Sequence, residues 1–180
     1  MAMEQYGVTK PISLAGPDKI DLRRTCELEK LIFEAKLYES NEEARKREEV
    51  LLLLRQIVKD WVKALTRLRG YSDKMVEDAN ALILTFGSCR LGVNCPGADI
   101  DALCVGPSYV SREGDFFYVL PEVLAEMDEV SELQPIPDAH VPVLKFKFHG
   151  FSIDLLYASI SLLVVPDVSI TTLFFSSYFW

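Results

Sequence analysis

A glycine-containing run, Phe86-Gly87-Ser88-Cys89-Arg90-Leu91-Gly92, is followed at once by Gly97-Ala98-Asp99-Ile100-Asp101-Ala102-Leu103, and no other feature of the chain restricts its fold as far. Asp99 and Asp101 stand at i and i+2 in what reads as a strand, so both carboxylates leave one face. Two such groups about 4 Å apart repel by roughly 1 kcal/mol in water and about 4 kcal/mol at an effective dielectric near 20. A hard divalent cation relieves that repulsion, and Mg²⁺ in particular accepts one or two protein carboxylates together with waters and phosphate oxygens. An isolated D-x-D is ordinarily a solvated strand end or turn. The glycine before it changes the reading.

The apolar run Ala81-Leu82-Ile83-Leu84-Thr85-Phe86 predicts a strand that breaks into a phosphate-sized turn at Gly87, after which a second strand returns with the two acids. Gly87 can take a positive φ and admit a phosphate close to the backbone, and Ser88 adds a hydroxyl donor. A third acid, Asp154, lies in Phe151-Ser152-Ile153-Asp154-Leu155-Leu156 with aliphatics on both sides. Alternation alone sends it to either face. An unpaired buried carboxylate is costly, so it needs a metal, an arginine or backbone donors; Lys145 and Lys147 are the nearby cations that could satisfy it instead.

The run FGSCRLGVNCPGADIDALCVGP (residues 86–107) resembles the nucleotidyltransferase signature of eukaryotic poly(A) polymerases, plant members most, within the polymerase β-like superfamily. Tyr6-Gly7-Val8-Thr9-Lys10-Pro11-Ile12-Ser13-Leu14 is similar to that family's opening segment. Val141-Pro142-Val143-Leu144-Lys145 and Ile153-Asp154-Leu155-Leu156-Tyr157-Ala158 resemble its third-carboxylate region, so the likeness spans about residues 6 to 166. The resemblance implies transfer of AMP from ATP to an RNA 3′-hydroxyl with two Mg²⁺ or Mn²⁺ ions. It implies that Asp99 and Asp101 hold both ions and that Asp154 completes one of them. It further implies a nucleotide-binding set of Phe86, Gly87, Ser88, Asp99, Ile100, Asp101 and Asp154. The partners it implies are ATP, the RNA 3′ end and cleavage and polyadenylation factors, without a membrane. The compartment it implies is the nucleus, with the cytoplasm left open because no import signal is evident in the chain.

Helical periodicity predicts an amphipathic helix over 18–37 and a second over 42–69, about 42 Å long at 1.5 Å per residue. Asn41 is the expected cap of the second and Gly70 its stop. Its apolar set is Val50, Leu51, Leu54, Ile57, Val58, Trp61, Val62, Leu65 and Leu68. Arg45-Lys46-Arg47 is flanked by Glu42, Glu43, Glu48 and Glu49 and reads as a solvated face. Gly114 to Met127 predicts a helix interrupted at Pro121. Glu129–Pro135, His140–Phe148 and Phe151–Ala158 predict strands, the last two joined by a tight His149-Gly150 turn. The expected fold class is α+β: a polymerase β-like nucleotidyltransferase fold, a mixed sheet with helices on one face, plus long amino-terminal helices. The expected division is a helical segment 1–70, a catalytic domain 71–166 and a divergent apolar tail 167–180.

Net charge of −8, from 27 acidic against 19 basic residues, opposes nonspecific adhesion to a polyanion, so any RNA contact must be local. Cys26, Cys89, Cys95 and Cys104 have neither the spacing of a zinc site nor that of a disulfide framework, which fits a reducing compartment. His140 and His149 read as structural. No secretory signal pattern opens the chain. From Ile160 to Trp180 the only charge is Asp167, and the ending Thr171 to Trp180 departs from the family pattern and is β-prone and aggregation-prone. In the family the chain continues there into central and RNA-binding domains that complete the ATP and RNA sites. A truncated or alternatively spliced product is therefore expected, with the carboxylates in place and low transferase activity by itself. The alternatives are a noncatalytic ATP and Mg²⁺-binding fragment, a nonfunctional splice product, or another nucleotidyltransferase of the superfamily.

Overall fold

The computed structural model describes residues 11–167. Residues 6–10 of the family-like opening segment and 168–180 of the apolar tail lie outside the described residues. The chain divides into two compact units, Met1–Leu37 and Tyr38–Trp180. In the first, α1 (Lys19–Glu34) starts at Asp18, which accepts from the N–H groups of Ile20 and Asp21 while Asp21 reaches back to the Asp18 N–H. That reciprocal cap satisfies donors the first turn leaves free.

The second unit begins with α2 (Asn41–Leu68). Its cap is Ser40 rather than Asn41: Ser40 is extended and its hydroxyl accepts from Glu43 N–H at 3.1 Å, whereas Asn41 is already helical. Gly70 follows the helix at φ 76°, as expected for a stop. The apolar stripe packs as its spacing predicts, with Val50, Leu51, Leu54, Val58, Trp61, Val62 and Leu65 buried, while Leu68 stays exposed. The basic cluster does not behave as one solvated face. Arg45 and Lys46 are exposed and pair with Glu49 and Glu42, but Arg47 is buried.

After α3 (Asp73–Asp78) come β1 (Leu82–Thr85), α4 (Gly87–Leu91) and β2 (Ile100–Gly106). A π-helical segment, Arg112–Val119, then runs into α5 (Leu120–Ala125), whose second residue is Pro121. Proline is tolerated in a first turn, where its missing N–H would have no helical partner. The chain closes with β3 (Val130–Ile136), β4 (Val143–Phe148) and β5 (Phe151–Ser159). His149 and Gly150 both take positive φ in the expected tight turn between the last two.

The five strands form one mixed sheet in the order β1-β2-β5-β4-β3, with β2 and β5 parallel and every other pair antiparallel. Pro135 sits in β3, an edge strand, the place in a sheet where proline is tolerated. Alternation assigns the two faces. Ile83, Ile100, Ala102, Cys104, Leu144, Phe146, Phe148, Ile153, Leu155 and Tyr157 are buried in one core with α2, the π-helical segment and α5. A smaller cluster of Val105, Ile160 and Val165 covers one end of the other face. Among the described residues no helix is long and apolar enough to cross a membrane.

Candidate active site

The period of two along each strand decides where the acids go. Asp101 lies between buried Ile100 and Ala102, Asp154 between buried Ile153 and Leu155, and Lys145 between buried Leu144 and Phe146. All three side chains therefore leave the face opposite the main core. The parallel register sets Asp101 directly across from Asp154, and the antiparallel register sets Lys145 across from Asp154. Asp99, two residues before Asp101 and just outside β2, completes the group. One carboxylate oxygen from each of Asp99, Asp101 and Asp154 lies within 4.8 Å of the others.

At that separation each pair of charges repels by about 1 kcal/mol in water and about 3 kcal/mol at an effective dielectric near 20. Partial burial, then Asp99, then Asp154 push the Asp101 carboxyl above the usual carboxylate range, with Lys145 pulling the other way. Lys145 Nζ forms an ion pair with Asp154, and that hydrogen bond raises the lysine above its ordinary value. Lys147 pairs instead with Glu132 at 2.6 Å. Three carboxylates and a single lysine leave an excess of negative charge and several free oxygen lone pairs, a donor set that suits hard divalent cations.

The glycine run is a short helix rather than an open turn. Phe86 caps it in extended conformation, and its N–H donates to the Asp101 carbonyl at 3.1 Å. Gly87 has φ 61°, and a Cβ on it would lie 2.6 Å from Asp101 Oδ2. Only glycine lets the backbone come this close to the carboxylate. Ser88 is half-buried within α4, while Ile100 is fully buried with its side chain in the core, so that residue offers the site its backbone alone. Burial raises the neighbouring Cys89 thiol above its usual range. A cleft of about 280 Å³ lined by Phe86, Val141, Val143 and Leu156 reaches Asp101 and Asp154 from one side. A second, of about 230 Å³ and lined by Glu132, Gln134, Lys147 and Ser152, reaches Asp99 and Asp154 from the other.

Sequence reasoning missed Arg47, whose guanidinium lies behind the site and bonds the carbonyls of Ala98 and Asp99. The signal was present in the helical period: position 47 precedes Val50, Leu51 and Leu54 by three, four and seven residues, on the buried stripe.

A mixed sheet bearing three convergent acids beside a glycine that opens a short helix is the architecture of the polymerase β-like nucleotidyltransferases. In keeping with this, a solved structure of Cid1 concerned with its RNA terminal uridylyl transferase activity aligns at a TM-score of 0.50 and 20% identity, over 73% of this chain and 36% of that one. The GLD-2/RNP-8 complex aligns at 0.50 and 16% identity, over 73% and 39%. These likenesses speak for the fold alone. Residues 7–171 match the family described as the poly(A) polymerase nucleotidyltransferase domain. Nuclear poly(A) polymerase 4 of Arabidopsis thaliana is 66% identical over 164 residues, 91% of this chain and 22% of that protein. Poly(A) polymerase of Dictyostelium discoideum is 46% identical over 161 residues, 89% and 20%. The chain belongs to the poly(A) polymerase nucleotidyltransferase-domain family, and it spans about a fifth of the length of these relatives.

Proposed function

We propose that this chain is the catalytic portion of a nuclear poly(A) polymerase, which transfers AMP from ATP to the 3′-hydroxyl of RNA. The RNA 3′-hydroxyl gives up its proton to water, its oxygen bonds the α-phosphorus, the bond from that phosphorus to the oxygen bridging it to the β-phosphate breaks, and pyrophosphate leaves. The observation that carries this reading is the approach of Asp99, Asp101 and Asp154 to within 4.8 Å beside Gly87. The donor set suits hard divalent cations; with two Mg²⁺ or Mn²⁺ ions, Asp99 and Asp101 would hold both and Asp154 one. Bound there, such ions neutralise phosphate charge and make the attacking hydroxyl more acidic.

The chain's own residues do the positioning that in-line phosphoryl transfer chiefly requires. The ladder holds Asp101 and Asp154 opposite one another. Gly87 keeps the approach over Asp101 Oδ2 open, and the Phe86–Ser88 backbone lies where a triphosphate would follow it. Lys145 balances part of the cluster's charge from the Asp154 side. The apolar cleft beside Phe86 and Val141 suits a base and sugar, and the second cleft, lined by Gln134 and Ser152 with both its lysines paired to acids, is polar without being cationic. No histidine is assigned to acid–base work. The nucleus and an RNA 3′ end belong to the same proposal on the strength of the relatives' names, and cleavage and polyadenylation factors as partners on the family resemblance alone. The aligned residues make up about a fifth of those relatives' length, and we expect transfer by these 180 residues alone to be slow.

The test is Mg²⁺-dependent ATP binding by the 180-residue chain, together with label incorporation from each nucleoside triphosphate into an oligoadenylate primer, with Asp99→Ala as control. The expected result is ATP binding that needs the metal and is lost in the variant, with weak incorporation that favours ATP. Binding indifferent to both the metal and Asp99→Ala, or preferential incorporation of UTP, overturns the reading. Robust elongation lost in the variant would overturn only the expectation of slow transfer.

A further inference from the structure

Two of the three acids are held by the sheet. Asp101 and Asp154 face each other in the ladder, and Phe86 N–H donates to the Asp101 carbonyl. Asp99 has no ladder partner, because β2 and its pairings begin at Ile100. It ends a loop in which Gly92 and Gly97 both take left-handed conformations, at φ 67° and 74°. Glycines leave such a loop conformationally free, whereas a site residue must be held to within about 0.5 Å.

The residues around the start of α2 tie that loop down. Arg47 is 3% exposed, and its Nη1 donates to the carbonyls of Ala98 at 2.9 Å and Asp99 at 3.3 Å. Its Nε donates to Glu39 Oε1 at 2.8 Å, and Nη2 lies 2.8 Å from the same oxygen, off the hydrogen-bond direction. The guanidinium sits 5.1 Å from the centre of the Phe151 ring, at the start of the strand that carries Asp154. Glu43, one turn earlier on the same helix face, accepts from Gly97 N–H at 2.8 Å. Glu39 closes the other end of the loop: its N–H donates to the Asn94 carbonyl at 3.3 Å, and its Oε2 accepts from Asn94 Nδ2 at 3.4 Å.

A buried guanidinium is costly to desolvate, and an aliphatic side chain would complete the α2 stripe without that penalty. What arginine adds is a rigid fork of donors aimed at two successive carbonyls. We infer that Arg47, supported by Glu39 and Glu43, is a positioning residue that sets the Asp99 carboxylate in the triad. This rests on the proposed reading of the triad as a metal site.

The test compares Arg47→Met, Arg47→Lys and Glu43→Gln with the unaltered 180-residue chain. Mn²⁺ affinity is measured from the spin-resonance signal of the free ion, and amide exchange is followed in the metal-free protein. Loss of a group that orients a metal ligand lowers metal affinity about 10- to 100-fold. A loss in that range is expected for Arg47→Met, with part of it restored in Arg47→Lys. Exchange should quicken over residues 94–99 and stay slow in β4 and β5. Unchanged Mn²⁺ affinity in a folded Arg47→Met protein, or exchange that quickens uniformly across the sheet, overturns the inference. Asp101→Asn separates the two levels. If it abolishes Mn²⁺ binding while Arg47→Met does not, the positioning role alone fails; if it leaves binding intact, the metal reading fails and takes the inference with it. Should Arg47→Met not fold, Glu43→Gln, which weakens one hydrogen bond of the clasp, decides by the same criteria.

Discussion

Gly87 stands against Asp101 so closely that a Cβ on the glycine would lie 2.6 Å from Asp101 Oδ2. Gly87→Ala therefore meets two penalties. An alanine at φ 61° costs about 1–2 kcal/mol of backbone strain, and the added methyl must displace the carboxylate from the triad. At about 2–4 °C per kcal/mol for a protein of this size, melting should fall by several degrees. Mn²⁺ affinity, read by calorimetric titration, should fall by about tenfold or more, in the range seen when a metal ligand loses its orientation. An alanine variant that melts lower but binds Mn²⁺ as before would separate Gly87 from the site.

The raised Asp101 carboxyl makes the metal-free fold sensitive to pH. A carboxyl that binds its proton more tightly folded than unfolded contributes stability below the unfolded value, near 3.8, and loses that contribution as pH rises through its higher folded value. Denaturant midpoints of the chelator-treated protein should thus decline as pH rises from about 4 toward neutrality. Asp101→Asn should flatten that decline and raise the midpoint at pH 7. A midpoint at pH 7 unchanged or lowered by the substitution would show that the triad is not under electrostatic strain.

Lys145 is the cation that the chain itself supplies to Asp154. Its raised value means that the pair contributes stability below the lysine's ordinary range, near 10.5, and loses it as pH climbs through the higher folded value. Lys145→Met removes this alkaline transition and leaves the three acids without the lysine that pairs with them, Lys147 being held by Glu132. Metal affinity should then rise, because the ion no longer competes with an ammonium group, while ATP affinity at saturating metal should fall. Paired titrations of Mn²⁺ and ATP read both signs. Parallel loss of the two affinities would indicate general disruption instead.

The parts of the site legible in the sequence were those governed by strand period and glycine chemistry. Asp101 left the face its strand period required and Gly87 took the positive φ that its residue type allows, whereas Asp99, expected in the same strand, joins Asp101 from the loop just before β2. The face chosen by Asp154 was not legible, because a run flanked by aliphatics on both sides fits either; the pairing with β2 and β4 decides it. Arg47 was hidden for another reason. Its neighbours Arg45 and Lys46 form ordinary exposed pairs four residues along α2, and charge alone groups all three, while helical period places only Arg47 on the buried stripe. The π-helical segment at Arg112–Val119 gave no local warning, since its start depends on Ser111 accepting from the Gly114 and Asp115 N–H groups and on Asp115 pairing with Arg69.

The core face of the same sheet offers a control that spares the site. Gly106 and Tyr157 lie on that face, and a Cβ at Gly106 would collide with the Tyr157 hydroxyl. The phenol cannot easily retreat. Its hydroxyl donates to the Val110 carbonyl at 3.0 Å, its ring stacks on Phe116 at 5.0 Å, and Trp61 meets it edge-on at 6.4 Å. Gly106→Ala must swing the ring and strand the Val110 carbonyl, a combination of overpacking and a lost buried hydrogen bond worth about 1–3 kcal/mol. Denaturant unfolding should report that loss, and Mn²⁺ affinity should stay within about twofold because the triad leaves the opposite face. Tyr157→Phe removes the colliding oxygen and its Val110 anchor, so that the ring, whose Cε2 and Cζ would lie 2.9 and 3.0 Å from that Cβ, is free to give. In that background Gly106→Ala should cost at least about 1 kcal/mol less than it does alone, a coupling of the size expected for residues in contact. Strict additivity of the two substitutions would show that the hydroxyl is not what makes glycine necessary at position 106.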